Sequence, residues 1–436
     1  MILGMKFFPL FIAAAVSFAA LVWVTSPYKI GLSPDSSCYI EMGRNLAAGK
    51  GAYVKPSPLA GSMVPVTGYA PFLSFVLAVP AYLKADLQIT GWLLNGFLFA
   101  AANFLSGWIV YACTGSPVYA LLAPALLSLD LKWTEYFFYV LSEPLFATLA
   151  LFEIFCLIRY LKDQQMIWIG LASLTAGAAA LTRYVGVSYI MAGVFSVFLF
   201  THDGLKKRLG AALCMGAPSS AIFLAWVVRN RRASGSFFGT VFSGADQHTL
   251  SFWPNIRSVL RDTVNYPSNS GMLRHPIFFY AFLALVPVAF ALNAFVKKEK
   301  GSSSDLRVAL ILFLFAASYL SVLILALTGG HSPSNPEKFR YISPLYGQLW
   351  CLLPIVMHII QKQAGEIHKI LSGAVGTLFL IVLIAWFVPL AKINWERDLK
   401  IRLYGADRTQ GERWKDFKSI GYPAARWRMA RIPERS

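Results

Sequence analysis

The sequence predicts an all-α polytopic membrane protein, and three observations carry the prediction. Hydrophobic residues make up 57% of the 436-residue chain and charged residues only 14%. The mean hydropathy is +0.56, and apolar runs of membrane length recur along the chain. Soluble domains carry about 25% charged residues, so this composition excludes an ordinary soluble domain. A net charge of +18 accompanies it. The sequence contains no Walker loop, GxGxxG, tandem repeat or nucleic-acid-binding motif, so ATP-driven transport, a Rossmann site and nucleic-acid binding lack support. Anionic lipid headgroups are the expected partner of the charge.

The runs fall in order near 7–25, 91–112, 117–131, 143–160, 166–181, 184–200, 209–228, 277–296, 306–328, 344–361 and 370–390. The first, Phe7 to Thr25 behind Lys6, is long for a signal-peptide core and lacks a small-residue cleavage site, so it reads as a retained helix. A shorter run over 70–84 contains Pro71 and Pro80 and reads as a re-entrant or interfacial helix. Cys113, Cys156, Cys214 and Cys351 lie in or beside apolar runs, without CxxC or Cys/His metal spacing, which points to packing.

Basic clusters orient the spans, because short cytoplasmic loops are enriched in Lys and Arg. Arg159/Lys162, Lys206–Arg208, Lys297–Lys300 and Lys362/Lys369 fall two spans apart and therefore share one face. The opposite, outer face receives Glu135, Glu143, Arg183, a long loop at 229–276 and a loop at 329–343. The first loop, 28–70, joins that face if the 70–84 run does not cross. This gives about eleven spans and an outer C-terminus. The tail at 392–436 holds twelve Lys or Arg against six acids, which suits the cytoplasmic side instead. The organisation is thus a membrane-embedded unit over 1–391 followed by a basic tail.

Within the first loop, Ser33 is a helix N-cap, Pro34 suits the first helical position, Asp35 falls in the first turn and Gly49 ends the helix. Tyr39 lies one turn after Asp35 on the same face, with Met42 and Leu46 continuing that side, so the helix can lie on the bilayer surface. This places an acid at the membrane surface, a site for chemistry on a lipid-borne substrate. Glu143 opens a later span in Ser142-Glu143-Pro144. It reads either as a ligand beside Asp35 or as a first-turn acid favoured by the helix dipole.

Arg183 sits between two runs with almost no loop, so its charge is held at the boundary. A guanidinium there suits a phosphate through its fork of donors, or snorkels to lipid headgroups. Lys338-Phe339-Arg340-Tyr341 forms a second cationic site on the same face, and Arg229 opens the long outer loop with Asn230, Arg231 and Arg232. Asp246 and His248 in that loop complete no metal set.

Read together, Asp35-x3-Tyr39, Gly49-Lys50-Gly51, Tyr69-Ala70-Pro71, Ser142-Glu143-Pro144, Leu181-Thr182-Arg183-Tyr184 and Phe339-Arg340-Tyr341 resemble the GT-C superfamily of membrane glycosyltransferases. The closest likeness is to the bacterial branch related to protein mannosyltransferases and lipid A sugar transferases. It covers most of 28–350, and Ser36 and Gly43 depart from that branch's pattern.

The resemblance implies a GT-C-like bundle of about eleven or twelve transmembrane helices with an interfacial helix in the first outer loop. It also implies inverting transfer of a sugar from a polyprenyl-phosphate donor to an acceptor at the outer face of a bacterial inner membrane. Asp35 and Glu143 then take the catalytic positions. Arg183, Arg340 and Lys338 meet the donor phosphate, and Tyr39, Tyr69, Arg229 and Tyr341 line the substrate site. No cofactor is required, and a magnesium or manganese ion shared by Asp35 and Glu143 is compatible with that oxygen-rich pair. A lipid-linked-sugar transporter and a non-enzymatic assembly subunit are the competing readings. Transport requires charge deep inside the spans, whereas most charge here lies at their ends.

Overall fold

The computed structural model describes residues 2–26, 29–55, 62–201, 204–238, 304–328 and 344–363. Lys338, Arg340, Tyr341, the outer loop beyond Phe238 and the 392–436 tail lie outside the described residues. The chain runs through α1 (Ile2–Thr25), α2 (Pro34–Ala47), a hairpin of β1 (Tyr53–Val54) and β2 (Val64–Pro65), α3 (Phe72–Tyr82), α4 (Leu87–Thr114) and α5 (Pro117–Leu129). There follow α6 (Leu131–Tyr136), α7 (Ser142–Asp163), α8 (Met166–Thr182), a 3-10 turn at Tyr184–Gly186, α9 (Val187–Phe200), α10 (Leu205–Ser234), α11 (Ser304–Thr328) and α12 (Pro344–Gln363).

Phe7–Thr25, α4, α7 and α10 are long and apolar enough to cross a membrane, and shorter apolar helices pack among them. Phe8, Phe11 and Trp23 of α1, Phe97 of α4 and Leu213 of α10 point outward, a surface made for acyl chains and not for water. The chain is an integral membrane protein. At 11 residues α3 spans only about 17 Å, too short for the hydrocarbon core.

The helices close into a ring, with α1 on α4, α4 on α7, α7 on α8, α8 on α10, α10 on α9, α9 on α11, α11 on α12 and α12 back on α4 and α5. Without a hydrophobic driving force between helices in lipid, close approach must come from small residues. A Cβ on Gly107 of α4 would lie 2.6 Å from Leu10 Cδ2 and 2.9 Å from the Ala120 carbonyl, so α1 and α5 both reach the α4 backbone there.

In the first loop, α2 lies directly against α3: a Cβ on Gly43 would sit 3.1 Å from the Ser74 carbonyl oxygen. Ser74 Oγ donates to the Tyr39 carbonyl at 2.9 Å, and Asn45 Nδ2 donates to the Tyr53 carbonyl at 2.7 Å, so α3 and the hairpin both hold α2.

The boundary of the long outer loop differs from the sequence reading. Residues 229–234 continue α10, which ends at Gly235 in the left-handed region (φ 75°). Arg231 and Arg232 occupy the last turn, where cations complement the helix dipole. The basic cluster that resembled a loop is a helix terminus.

Glu153, in the middle of α7, is an acid the sequence reading passed over. It is 0% exposed, and neither of its carboxyl oxygens finds a hydrogen-bond partner among the described residues. Gly193 of α9 faces it so closely that a Cβ there would lie 2.8 Å from Glu153 Oε1. An unsatisfied buried polar group costs about 1–3 kcal/mol. Glu153→Leu, close in volume, should therefore stabilise the protein by about that amount, read as a raised thermal midpoint in nanodiscs. A lowered midpoint would contradict this account of the site.

Glu41 of α2 accepts the Lys55 N–H at 3.2 Å. Burial pushes its carboxyl from 4.5 up to about 7, against the opposing pull of that amide, of the Lys55 charge and of Arg44. The folded protein then binds this proton more tightly than the unfolded chain. The associated stability is fully present below about 4.5 and is lost as pH rises through about 7. The unfolding midpoint of wild type should fall more steeply than that of Glu41→Gln over this window; parallel curves would refute the assignment.

Candidate active site

The site begins at the N-terminus of α2. The Ser36 N–H donates to Ser33 Oγ at 3.2 Å, and the Ser33 N–H donates to Ser36 Oγ at 2.9 Å, a reciprocal cap with Pro34 at the first helical position. Asp35 in the first turn thus meets the positive end of the helix dipole. Tyr69 Oη donates to Asp35 Oδ1 at 2.8 Å. One turn on, Tyr39 is buried, its ring edge-to-face with Tyr69 at 5.5 Å between centroids.

Burial first, and then the Asp35 charge, raises both phenols well above the ordinary tyrosine range. For Tyr39 the Glu143 charge adds to this, opposed by Ser142 and Arg183. Both hydroxyls accordingly keep their protons, and Tyr69 donates its own to Asp35.

The head of α7 is brought to this point by backbone pairing. The Gly31 N–H donates to the Phe138 carbonyl at 2.8 Å and the Val140 N–H to the Gly31 carbonyl at 3.2 Å, joining the chain before α2 to the chain before α7. Asn95 Nδ2 of α4 donates to the Phe137 and Tyr139 carbonyls at 2.8 and 2.7 Å, fixing the same segment from the other side.

Glu143 then enters the bundle with its side chain 2% exposed, and Arg183 Nη1 meets its Oε1 at 2.6 Å. Ser142 Oγ accepts from Arg183 Nη1 at 3.1 Å and donates to Glu143 Oε2 at 3.3 Å. Arg183 therefore turns inward to a carboxylate and does not snorkel to headgroups.

Its direction is set by the turn after α8. A Cβ on Gly186 would lie 2.6 Å from the Ala179 carbonyl carbon and oxygen, so only glycine allows the chain to fold back this tightly. The Gly186 N–H closes the turn on the Arg183 carbonyl at 2.7 Å.

The structure thus gathers Asp35, Tyr39, Tyr69, Glu143 and Arg183 at one place. Arg229 stands apart. Its Nη1 donates to the Val66 carbonyl at 2.7 Å and its Nη2 to the Ala52 carbonyl at 3.0 Å, and its guanidinium lies 4.6 Å from the Trp226 ring centre. Two bonds to backbone make it a strap between α10 and the hairpin. Ser142 and Tyr184 were not anticipated from sequence. Only their adjacency to Glu143 and Arg183 marks them.

Among the described residues no group of three or more His, Cys, Asp or Glu gathers as a metal site. Asp35 and Glu143 are the available pair of carboxylates, and Glu143 Oε1 is already engaged by Arg183.

No protein-family profile matches the sequence, and no curated protein is recognisably similar to it. In three dimensions it matches the archaeal oligosaccharyltransferase AglB from Archaeoglobus fulgidus, solved in complex with an inhibitory peptide and a dolichol-phosphate. The TM-score is 0.51 at 13% identity, over 88% of this chain and 55% of that one. The chain shares the fold of AglB over most of its length.

ArnT from Cupriavidus metallidurans, solved bound to undecaprenyl phosphate and in the apo state, matches with a TM-score of 0.47 in both cases. The identities are 15% and 17%, over 97% and 98% of this chain and 74% and 75% of ArnT. The chain spans only about half the length of AglB, 55% of it.

The buried pair makes an asymmetric prediction. Arg183→Ala strands the Glu143 carboxylate and should cost about 3–5 kcal/mol, whereas Arg183→Met combined with Glu143→Leu removes both charges and should cost far less. Thermal unfolding in nanodiscs distinguishes them, and equal losses would show that the pair is not coupled in this way.

Proposed function

We propose that the chain is an inverting glycosyltransferase that moves a sugar from a polyprenyl-phosphate donor to an acceptor at the outer face of a bacterial inner membrane. The observation that carries this reading is the setting of Asp35. It is a carboxylate on a capped helix terminus, held by the Tyr69 hydroxyl at 2.8 Å, beside a buried Arg–Glu pair. The GT-C fold shared with AglB supports it, and AglB was solved with a dolichol-phosphate, a polyprenyl phosphate.

In the proposed step an acceptor hydroxyl attacks the anomeric carbon from the face opposite the phosphate. Asp35 takes the hydroxyl proton as the new C–O bond forms. The bond between the anomeric carbon and the phosphate oxygen breaks, and its electron pair leaves with the polyprenyl phosphate. A leaving phosphate needs stabilisation of charge more than a proton, so the base needs no acid partner of the kind found in glycoside hydrolases. Arg183 supplies fixed positive charge beside the reaction. Lys338 and Arg340 are assigned to the donor phosphate on the sequence resemblance, and Tyr39 and Tyr341 to the substrate.

The transporter reading requires a file of charged groups through the spans. Glu153 does lie deep in α7, but Gly193 closes over it and, among the described residues, neither oxygen has a hydrogen-bond partner. This favours transfer at the surface.

Purified protein in nanodiscs, given a panel of polyprenyl-phosphate sugars and acceptors, tests the proposal. Wild type should turn over at least one donor. Asp35→Asn should lose transfer by a factor of about 10² or more while keeping its thermal midpoint and its donor affinity. Undiminished turnover in Asp35→Asn would remove Asp35 from the mechanism. Titrating magnesium or manganese into the same assay reads whether Asp35 and Glu143 share a cation.

A further inference from the structure

The dipeptide Arg183-Tyr184 sends its side chains in different directions. Arg183 reaches the head of α7, while Tyr184 Oη reaches the first outer loop, donating to the Thr67 carbonyl at 2.6 Å with the Tyr69 carbonyl at 3.4 Å. The same oxygen accepts from Trp226 Nε1 at 3.1 Å and from Asn230 Nδ2 at 3.0 Å, both on α10. One donor and two acceptor sites are all that a phenol hydroxyl has, so Tyr184 is saturated and its position is overdetermined. Burial raises it above the ordinary tyrosine range, and it keeps the proton it donates.

Arg229, one residue before Asn230, holds the Val66 carbonyl at 2.7 Å. Three carbonyls in the four residues 66–69 are therefore engaged by side chains from outside the loop, immediately before the Tyr69 hydroxyl that bonds Asp35. A loop would otherwise leave these groups to water and the Tyr69 side chain to wander.

We infer that Tyr184 is a positioning residue for Asp35, acting through the 67–69 backbone and the Tyr69 hydroxyl. The inference rests on the transferase reading, in which Asp35 is the base. On the other side, Asn230 Nδ2 also donates to the Phe237 carbonyl at 3.1 Å, and the Phe238 ring lies edge-on to Tyr184 at 5.4 Å between centroids. The end of α10 and the candidate base are thus tied to one hydroxyl.

Tyr184→Phe removes that hydroxyl and keeps the ring contacts with Phe223 and Phe238. In nanodiscs kcat should fall by about tenfold or more with the donor KM unchanged, as expected for misplacement of a catalytic group and not for lost binding. Tyr69→Phe should show a similar loss, and the double variant should be no worse than Tyr69→Phe alone, because both act along one path. Multiplying losses would overturn the relay, as would a change confined to KM. Asn230→Ser, a gentler change at the same hydroxyl, should show a smaller kcat defect in the same direction.

Hydrogen–deuterium exchange of the peptide over 62–72 reads the clamp without turnover. It should accelerate in Tyr184→Phe, and unchanged exchange overturns the inference whether or not the wild type transfers sugar. If exchange accelerates but wild type turns over no donor, the clamp stands and the transferase reading fails.

Discussion

Putting the Glu143 carboxylate inside the bundle, at 2% side-chain exposure, is the constraint from which the local architecture follows. A buried carboxyl group that keeps its charge must be paired, because desolvation costs several kcal/mol that only a close cation and full hydrogen bonding return. Arg183 is the cation, and it must arrive from another helix. That requires the α8–α9 connection to turn back within a few residues, which requires glycine at 186, where any side chain would collide with the Ala179 carbonyl. The same tight turn leaves Tyr184 facing the loop between α2 and α3. One ion pair thus fixes α7 to α8, and its neighbour fixes the loop that holds Asp35.

Much of this was legible where the physics is local. The cap of α2 lies within four consecutive residues, in which the Ser33 and Ser36 side chains bond each other's backbone and Pro34 takes the first helical position, so the start of the helix is local in sequence. The placement of Tyr39 one turn from Asp35 follows from helical periodicity alone. The glycosyltransferase resemblance joined Asp35, Glu143 and Arg183 in one family pattern, but it carried no distances. That Arg183 contacts Glu143 and not a lipid headgroup depends on how α7 and α8 pack, 40 residues apart in the chain.

Three features were not legible, each for a stated reason. Arg229 looked like the start of a loop because basic residues cluster there, yet a helix C-terminus attracts cations equally well. The two carbonyls that Arg229 holds belong to residues more than 160 positions earlier, and no sequence pattern reports a backbone acceptor. Glu153 sat unnoticed within an apolar run, since a single acid barely lowers a windowed hydropathy average. Its burial becomes visible only when Gly193 of α9 is seen to close over it.

The two carboxylates of the site differ in what holds them, and the difference fits the two roles that the proposed transfer reaction needs. Glu143 is held by a guanidinium at 2.6 Å, and a proton arriving there would break a buried ion pair and leave Arg183 uncompensated. Asp35 is held at Oδ1 by a neutral phenol at 2.8 Å, on a helix terminus at the edge of the bundle. When Asp35 takes up a proton, Tyr69 can remain its partner. A base must accept a proton once per turnover and release it again, which suits Asp35. A group that orients a cation must keep its charge throughout, which suits Glu143. The same distinction explains why Tyr69 requires so firm a backbone. A hydrogen bond from a phenol to a carboxylate returns only about 1.5–3 kcal/mol, too little to order several loop residues by itself, so the rest of the ordering must come from the bonds that Tyr184 and Arg229 make to the chain beneath it.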